Sequence, residues 1–147
     1  MTVEEIDLLY ADLCSRIPCG VAYHWKGRTS EDDMPHYLNG MNEWMIFYIQ
    51  QGFVKPYLRP LSSMTEEEWK EFEEIFGFPI GAGYNTVTKK LNVYNYVVID
   101  KGYGVDIWFD DIANILNWLN AHHFDYRGLI EKGLAIAVTE ENDPYKD

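Results

Sequence analysis

Basic side chains are scarce in this chain. Twelve Lys and Arg stand against 24 Asp and Glu, for a formal net charge of -12. Phosphate contacts are made chiefly by Lys and Arg, so direct binding to nucleic acid or to an anionic membrane is disfavoured. The acids are spread along the sequence, which favours plain solubility; an acidic decoy that mimics DNA is a minor alternative. Cysteine is scarce too, with Cys14 and Cys19 alone. Their C-x4-C spacing is neither a C-x2-C redox pair nor half of a usual zinc knuckle. Two thiols suit a reducing compartment. No run approaches 18 apolar residues, which excludes a spanning helix. The start, Met1 to Asp7, is acidic where a signal peptide would be basic and then apolar. Together these absences point to the cytoplasm.

Aromatic residues, in contrast, are abundant: 5 Trp, 11 Tyr and 7 Phe among 147 residues. Rings bury large areas, and Tyr and Trp also suit binding surfaces. The length fits one domain that buries roughly 68–70% of its unfolded surface without a metal or disulfide.

Three helices carry strong signals. Thr2 and Glu5 form a capping box ahead of an apolar face of Val3, Ile6, Leu9, Tyr10, Leu13 and Ile17, with Pro18 and Gly20 as the stop. Thr65 and Glu68 repeat the design ahead of Trp69, Phe72, Ile75 and Phe76, with Met64 as staple partner of Trp69 and Gly77 and Pro79 beyond. The third helix starts at Asp110 or Asp111, buries Ile112, Ile115, Leu116 and Leu119, and ends near His122 or His123. Strands are expected at 21–26, at 44–50 from its aromatic and β-branched content, and at 91–99 paired with 105–109 through the Asp100–Gly104 turn. Val54–Leu61 contains Pro56 and Pro60, which remove ladder donors and imply an edge strand or an extended crossing. Residues 134–138 suggest a last short strand. Gly81-Ala82-Gly83 lacks the spacing and context of a phosphate loop. The expected architecture is α+β, with three helices packed on one face of a mostly antiparallel sheet of four to five strands. One domain spans residues 1–139, and residues 140–147 form a frayed acidic tail.

The densest cluster of chemically capable side chains is His122, His123, Asp125, Tyr126 and Arg127. Adjacent His on a helix diverge by about 100°, and metal sites on helices prefer His at i and i+3 or i+4. No metal or other cofactor is therefore implied. A His polarised by Asp125 could titrate near neutrality, and Arg127 could hold a carboxylate or phosphate. A nucleophile is missing locally; Cys14, Cys19, Ser62 and Ser63 qualify only if the fold delivers them. The structural alternative makes the two His a helix cap, sets Asp125 on the amides of the turn, pairs Arg127 with a carboxylate, and places Phe124 and Tyr126 in the core. Lys55, Tyr57 and Arg59 form a second candidate, a basic aromatic ribbon that binds an acidic partner or pairs with Glu66 to Glu68.

The blocks Lys55-Pro56-Tyr57-Leu58-Arg59-Pro60-Leu61-Ser62-Ser63-Met64-Thr65 and Trp118-Leu119-Asn120-Ala121-His122-His123-Phe124-Asp125-Tyr126-Arg127-Gly128-Leu129-Ile130 resemble strings in small uncharacterised proteins of Bacteroidetes genomes and their mobile elements. The resemblance covers about a sixth of the chain. It implies a bacterial or phage origin and carries no catalytic residues. The leading functional expectation is a non-enzymatic cytoplasmic binding or accessory protein with a protein partner. The alternative is a small hydrolase or metal-dependent enzyme using His122, His123, Asp125 and Arg127.

Overall fold

The structure, a computed structural model, describes residues 1–26, 34–76, 84–85, 90–91 and 109–146. Helix α1 spans Val3–Arg16 and opens with the expected capping box. Thr2 N donates to Glu5 Oε2 at 2.9 Å, and Glu5 N donates to Thr2 Oγ1 at 3.1 Å. Its buried stripe is Leu9, Asp12, Leu13 and Arg16. Val3, 70% exposed, and Tyr10 face outward instead of joining the core. The helix is thus rotated from the face its apolar residues suggest. An acid and a base four residues apart can satisfy each other, and so occupy the centre of a buried stripe.

A 3-10 turn over Ile17–Cys19 leads through Gly20, at φ 64, into strand β1, Ala22–Trp25. Strand β2 is His36–Tyr37. Helix α2, Glu43–Gln50, stands where a strand is expected from composition. Asn42 caps it by accepting from Met45 N at 2.9 Å. Ile49 is buried with Met45 and Tyr48 packed beside it, a helical spacing that the run of aromatic and β-branched residues obscures. Gly52, at φ 75, supplies the left-handed residue that ends the helix.

Strand β3, Val54–Pro60, is the centre of a five-stranded sheet rather than an edge. It pairs antiparallel with β1 and parallel with β6, Phe124–Asp125, and β7, Ile136–Ala137. Strand β2 pairs antiparallel with β1. The α+β class stands, but the sheet is mixed. Chain returning from a helix can re-enter a sheet parallel to an existing strand, and β6 follows a helix directly. The prolines are tolerated for a local reason. Odd positions of β3 serve β1 and β6: Phe53 O accepts from Lys26 N, and Arg59 N donates to His123 O, both at 2.8 Å. Even-numbered Leu58 O accepts from Val138 N at 2.8 Å. Pro56 N lies on the even side, one residue before pairing with β7 begins at Tyr57. Its missing donor therefore breaks no rung.

A 3-10 turn, Leu61–Ser63, precedes helix α3, Glu66–Phe76. Its capping box forms as expected, with Thr65 N donating to Glu68 Oε1 at 3.0 Å and Glu68 N to Thr65 Oγ1 at 3.2 Å. Phe72 is buried, whereas Ile75 is exposed. A two-residue ladder joins β4, Tyr84–Asn85, to β5, Lys90–Leu91. Helix α4 spans Phe109–Ala121, so Phe109 opens a helix rather than closing a strand. The described residues therefore contain four helices, not three. Apart from Leu91 and Phe109, the expected hairpin over 91–109 lies outside the described residues, as do Gly81 to Gly83 and the helix stop at Gly77 and Pro79.

The buried apolar residues form two clusters. One unites α3 and α4 through Phe72, Ile115, Trp118, Leu119, Phe124 and Tyr126. The other joins α1, α2 and the sheet through Leu9, Leu13, Val21, Ile49, Val54 and Leu58. The C-terminal segment, expected to fray, is tied to this sheet. The β1–β3 register places Ala22 opposite Tyr57 at the next rung. The Tyr145 hydroxyl occupies that rung, accepting from Ala22 N at 2.9 Å and donating to Tyr57 O at 2.6 Å. Burial raises the pKa of this phenol above its ordinary value, which keeps it protonated as the donor. Tyr37 Oη also donates to Pro144 O at 2.7 Å. Replacing Tyr145 by Phe should lower the unfolding free energy by about 1–3 kcal/mol, read by urea denaturation, because both backbone groups lose their partner.

Candidate functional site

The end of α4 and the turn after it bring most of the singled-out residues together. His122 N donates to Trp118 O at 3.1 Å, and His123 N to Asn120 O at 3.0 Å, closing the helix. His123 takes the left-handed conformation, φ 63, that usually falls to Gly or Asn at this position. Chain reversal there sends Phe124 and Asp125 alongside β3.

Asp125 is buried and spends both oxygens on the following turn. It accepts from Leu129 N at 3.0 Å and from Ile130 N at 2.9 Å. Tyr126 Oη donates to Asn120 Oδ1 at 2.8 Å. The His122 ring stacks on Trp118 with centroids 4.0 Å apart, and its Nδ1 lies 2.9 Å from Trp118 O. The His123 ring stacks on Tyr145 at 3.6 Å. The two imidazoles thus serve different neighbours, as their helical divergence implies.

Below this turn lies a charged cluster that the sequence pattern conceals. Arg16 and Asp12 have no exposed side-chain surface. Arg16 Nε donates to Asp12 Oδ2 at 2.8 Å, and Nη2 donates to Asp12 Oδ1 at 3.0 Å. Arg16 Nη2 also donates to Phe124 O at 2.7 Å. Arg127 Nε approaches Asp12 Oδ1 at 3.3 Å. Both guanidiniums lie over the Tyr126 ring, each 5.2 Å from its centroid. Asn120 Nδ2 donates to Ser15 O at 3.4 Å, adding a further link from α4 to α1. One carboxylate from the first helix therefore binds cations from residues 16 and 127. The available sequence signal is the i, i+4 spacing of Asp12 and Arg16 among Leu9 and Leu13, which the apolar periodicity of the helix masks.

The second candidate divides. Arg59 joins the turn: it grips Glu68 through Nη1 to Oε2 at 2.8 Å and Nη2 to Oε1 at 2.7 Å. Its guanidinium sits 4.2 Å from the Phe124 ring centroid, and Nη1 donates to His122 O at 3.4 Å. Burial would raise the Glu68 carboxyl, but hydrogen bonds from Arg59 and the Thr65 amide, with the Arg59 charge, hold it at about 2. Lys55 is exposed at the other end of β3, on the rim of a cleft with Glu5 and Lys132. Tyr57 contributes its carbonyl to Tyr145. Lys55, Tyr57 and Arg59 alternate with buried neighbours along β3, and of the two cations Arg59 takes the internal pairing with Glu68 while Lys55 stays exposed. Cys14 and Cys19 are free and half-buried. Among the described residues, no group of three His, Cys, Asp or Glu side chains could hold a metal ion, and no helix is long and apolar enough to cross a membrane.

Compared with known protein families, curated proteins and solved structures, the chain matches none significantly.

Two outcomes follow for these contacts. Removing the Asp12 carboxylate with Asp12→Ala leaves a buried Arg16 uncompensated and should cost about 3–5 kcal/mol; the Asp12→Leu/Arg16→Met double variant should cost less than the sum of its single variants in urea denaturation. His123 is held at about 4, by burial first and then by the charges of Arg16, Arg59 and His122. The unfolded chain protonates this imidazole near 6.5, so its stabilising contribution is present above that pH. It is lost as the pH falls from about 6.5 to about 4. Melting temperature should decline across this window, and His123→Asn, which tolerates the left-handed backbone, should flatten the slope.

Proposed function

We propose that this chain is a non-enzymatic cytoplasmic binding or accessory protein of a bacterial or phage genome. The observation that carries the reading is the use to which its most reactive cluster is put. Asp125 serves two amides, Arg127 serves Asp12, Arg59 serves Glu68, and His122 and His123 each stack on an aromatic ring. Groups that would bind a substrate or move its protons are engaged in holding the chain together. Large apolar side chains are meanwhile left open to solvent, Trp44 at 68% and Phe47 at 47%. Burial of such side chains against a partner is a common source of association free energy. The bacterial or phage origin rests on the resemblance of the two sequence blocks.

Crosslinking in cells that express the protein, followed by mapping of the adducts, tests this reading. A Trp44→Ser/Phe47→Ser variant should fold with a melting temperature within about 2 °C of the parent, since surface changes typically cost little. It should lose the specific protein adducts that the parent forms. Panels of ester, phosphomonoester, phosphodiester and peptide substrates should show no saturable turnover. Turnover that His122→Ala abolishes at unchanged melting temperature would contradict the proposal.

A further inference from the structure

The rotation of α1 that buries Asp12 and Arg16 has a consequence on the opposite flank. It turns Val3, Asp7 and Tyr10, spaced i, i+4 and i+7, toward solvent. Helix α2 lies beside this flank. Met1, just before α1, reaches Gly52, just after α2. Between them is an open cleft of about 180 Å³, lined by Ile6, Asp7, Tyr10, Ile46, Ile49 and Gln50. Trp44 and Phe47 of α2 are exposed as well, but helical spacing turns them away from the cleft-lining Ile46, Ile49 and Gln50.

The charge on these helices has one sign at the surface. Glu4, Asp7 and Glu43 are exposed. Arg16 is the single Lys or Arg of α1 and α2, and it is buried against Asp12. An apolar cleft between acidic helix flanks suits an occupant with apolar anchors on one face and cations beside them. A second copy of the same face would set three carboxylates against three and is disfavoured by like-charge opposition. The acidic C-terminal segment of the chain is held elsewhere, at Ala22, Tyr57 and His123. Helix α1, with 14 residues, is about 21 Å long, which a helix of similar length would match.

We propose that the α1–α2 groove is the docking site for a basic amphipathic helix of a partner protein. Its apolar anchor enters the cleft of Ile6, Tyr10, Ile46 and Ile49, and its Lys or Arg side chains meet Glu4, Asp7 and Glu43. The inference rests on the reading of the chain as a binding protein and adds the surface and the partner's chemistry.

The probe is a 14-residue helical peptide of Leu and Lys in an amphipathic pattern, with a Leu/Glu peptide of the same pattern as its control. Titration of the full isotopically labelled chain should give saturable one-to-one binding of the Leu/Lys peptide. Amide shift changes should centre on residues 3–14 and 43–50. Asp7→Lys/Glu43→Lys should weaken binding at least tenfold, and Tyr10→Ser at least threefold, at unchanged melting temperature. Glu140→Lys/Glu141→Lys, an equal charge change on another surface, should alter it less than twofold. Equal weakening by the two charge reversals would reduce the effect to net charge and overturn the proposal. So would a dimer formed through this face, or a groove filled in the free protein by another part of the same chain. If peptide shifts centre elsewhere, or if crosslinked partners map to another face, the groove assignment fails while the binding reading survives. Absence of any specific crosslinked partner removes the binding reading itself.

Discussion

A carboxylate withdrawn from water needs cations at short range, and Asp12 finds one on its own helix and one 115 positions later in the chain. Arg16 holds it with two hydrogen bonds and reaches on to Phe124 O, while Arg127 approaches the same carboxylate. The two guanidiniums lie over Tyr126, whose hydroxyl binds Asn120 of α4. Charges buried with incomplete partners are costly. The first helix, the end of the last helix and the segment after it are therefore fixed together. Both apolar clusters meet this junction, because Phe124 and Tyr126 belong to one and Leu9 and Leu13, which flank Asp12, belong to the other.

The same junction accounts for the backbone at His123. A left-handed non-glycine residue costs roughly 1–2 kcal/mol. It is accepted where α4 must stop and Phe124 must reach both Arg16 and the edge of β3. The imidazole then offers a flat face to Tyr145, which completes the rung that β1 and β3 leave open between Ala22 and Tyr57. Polar residues that look catalytic when read in a row thus have architectural work at separate addresses. The functional consequence follows from the other side of α1: turning Asp12 and Arg16 inward turns Val3, Asp7 and Tyr10 outward, beside α2.

Local signals were legible where their partners lie within one turn. Both capping boxes and the bonding of Asp125 to turn amides involve residues within five positions of each other. The pairing of Arg59 with Glu68, nine positions away, was readable instead from the acidic run that opens the next helix. The α2 helix was not, because Trp44, Ile46, Phe47, Tyr48 and Ile49 favour strands by composition, and the deciding contact is a single Asn42 cap. Long-range facts were invisible. Parallel pairing of β6 and β7 with β3, the Tyr145 rung and the Arg127–Asp12 pair join residues far apart in sequence. The structural alternative for the cluster therefore agrees with the main contacts of Asp125 and Arg127, whereas the choice of α1 as anchor has no local sequence signal.

The central claim is that the Asp12–Arg16 junction couples α1 to the C-terminal turn and the sheet. Native-state hydrogen exchange on Arg16→Met measures that coupling directly. The amides of Leu129, Ile130 and Arg59, which bond to Asp125 and to His123 O, should exchange at least tenfold faster than in the parent, together with those of α1. Acceleration confined to residues 3–16, with the distant amides unchanged, would contradict the account.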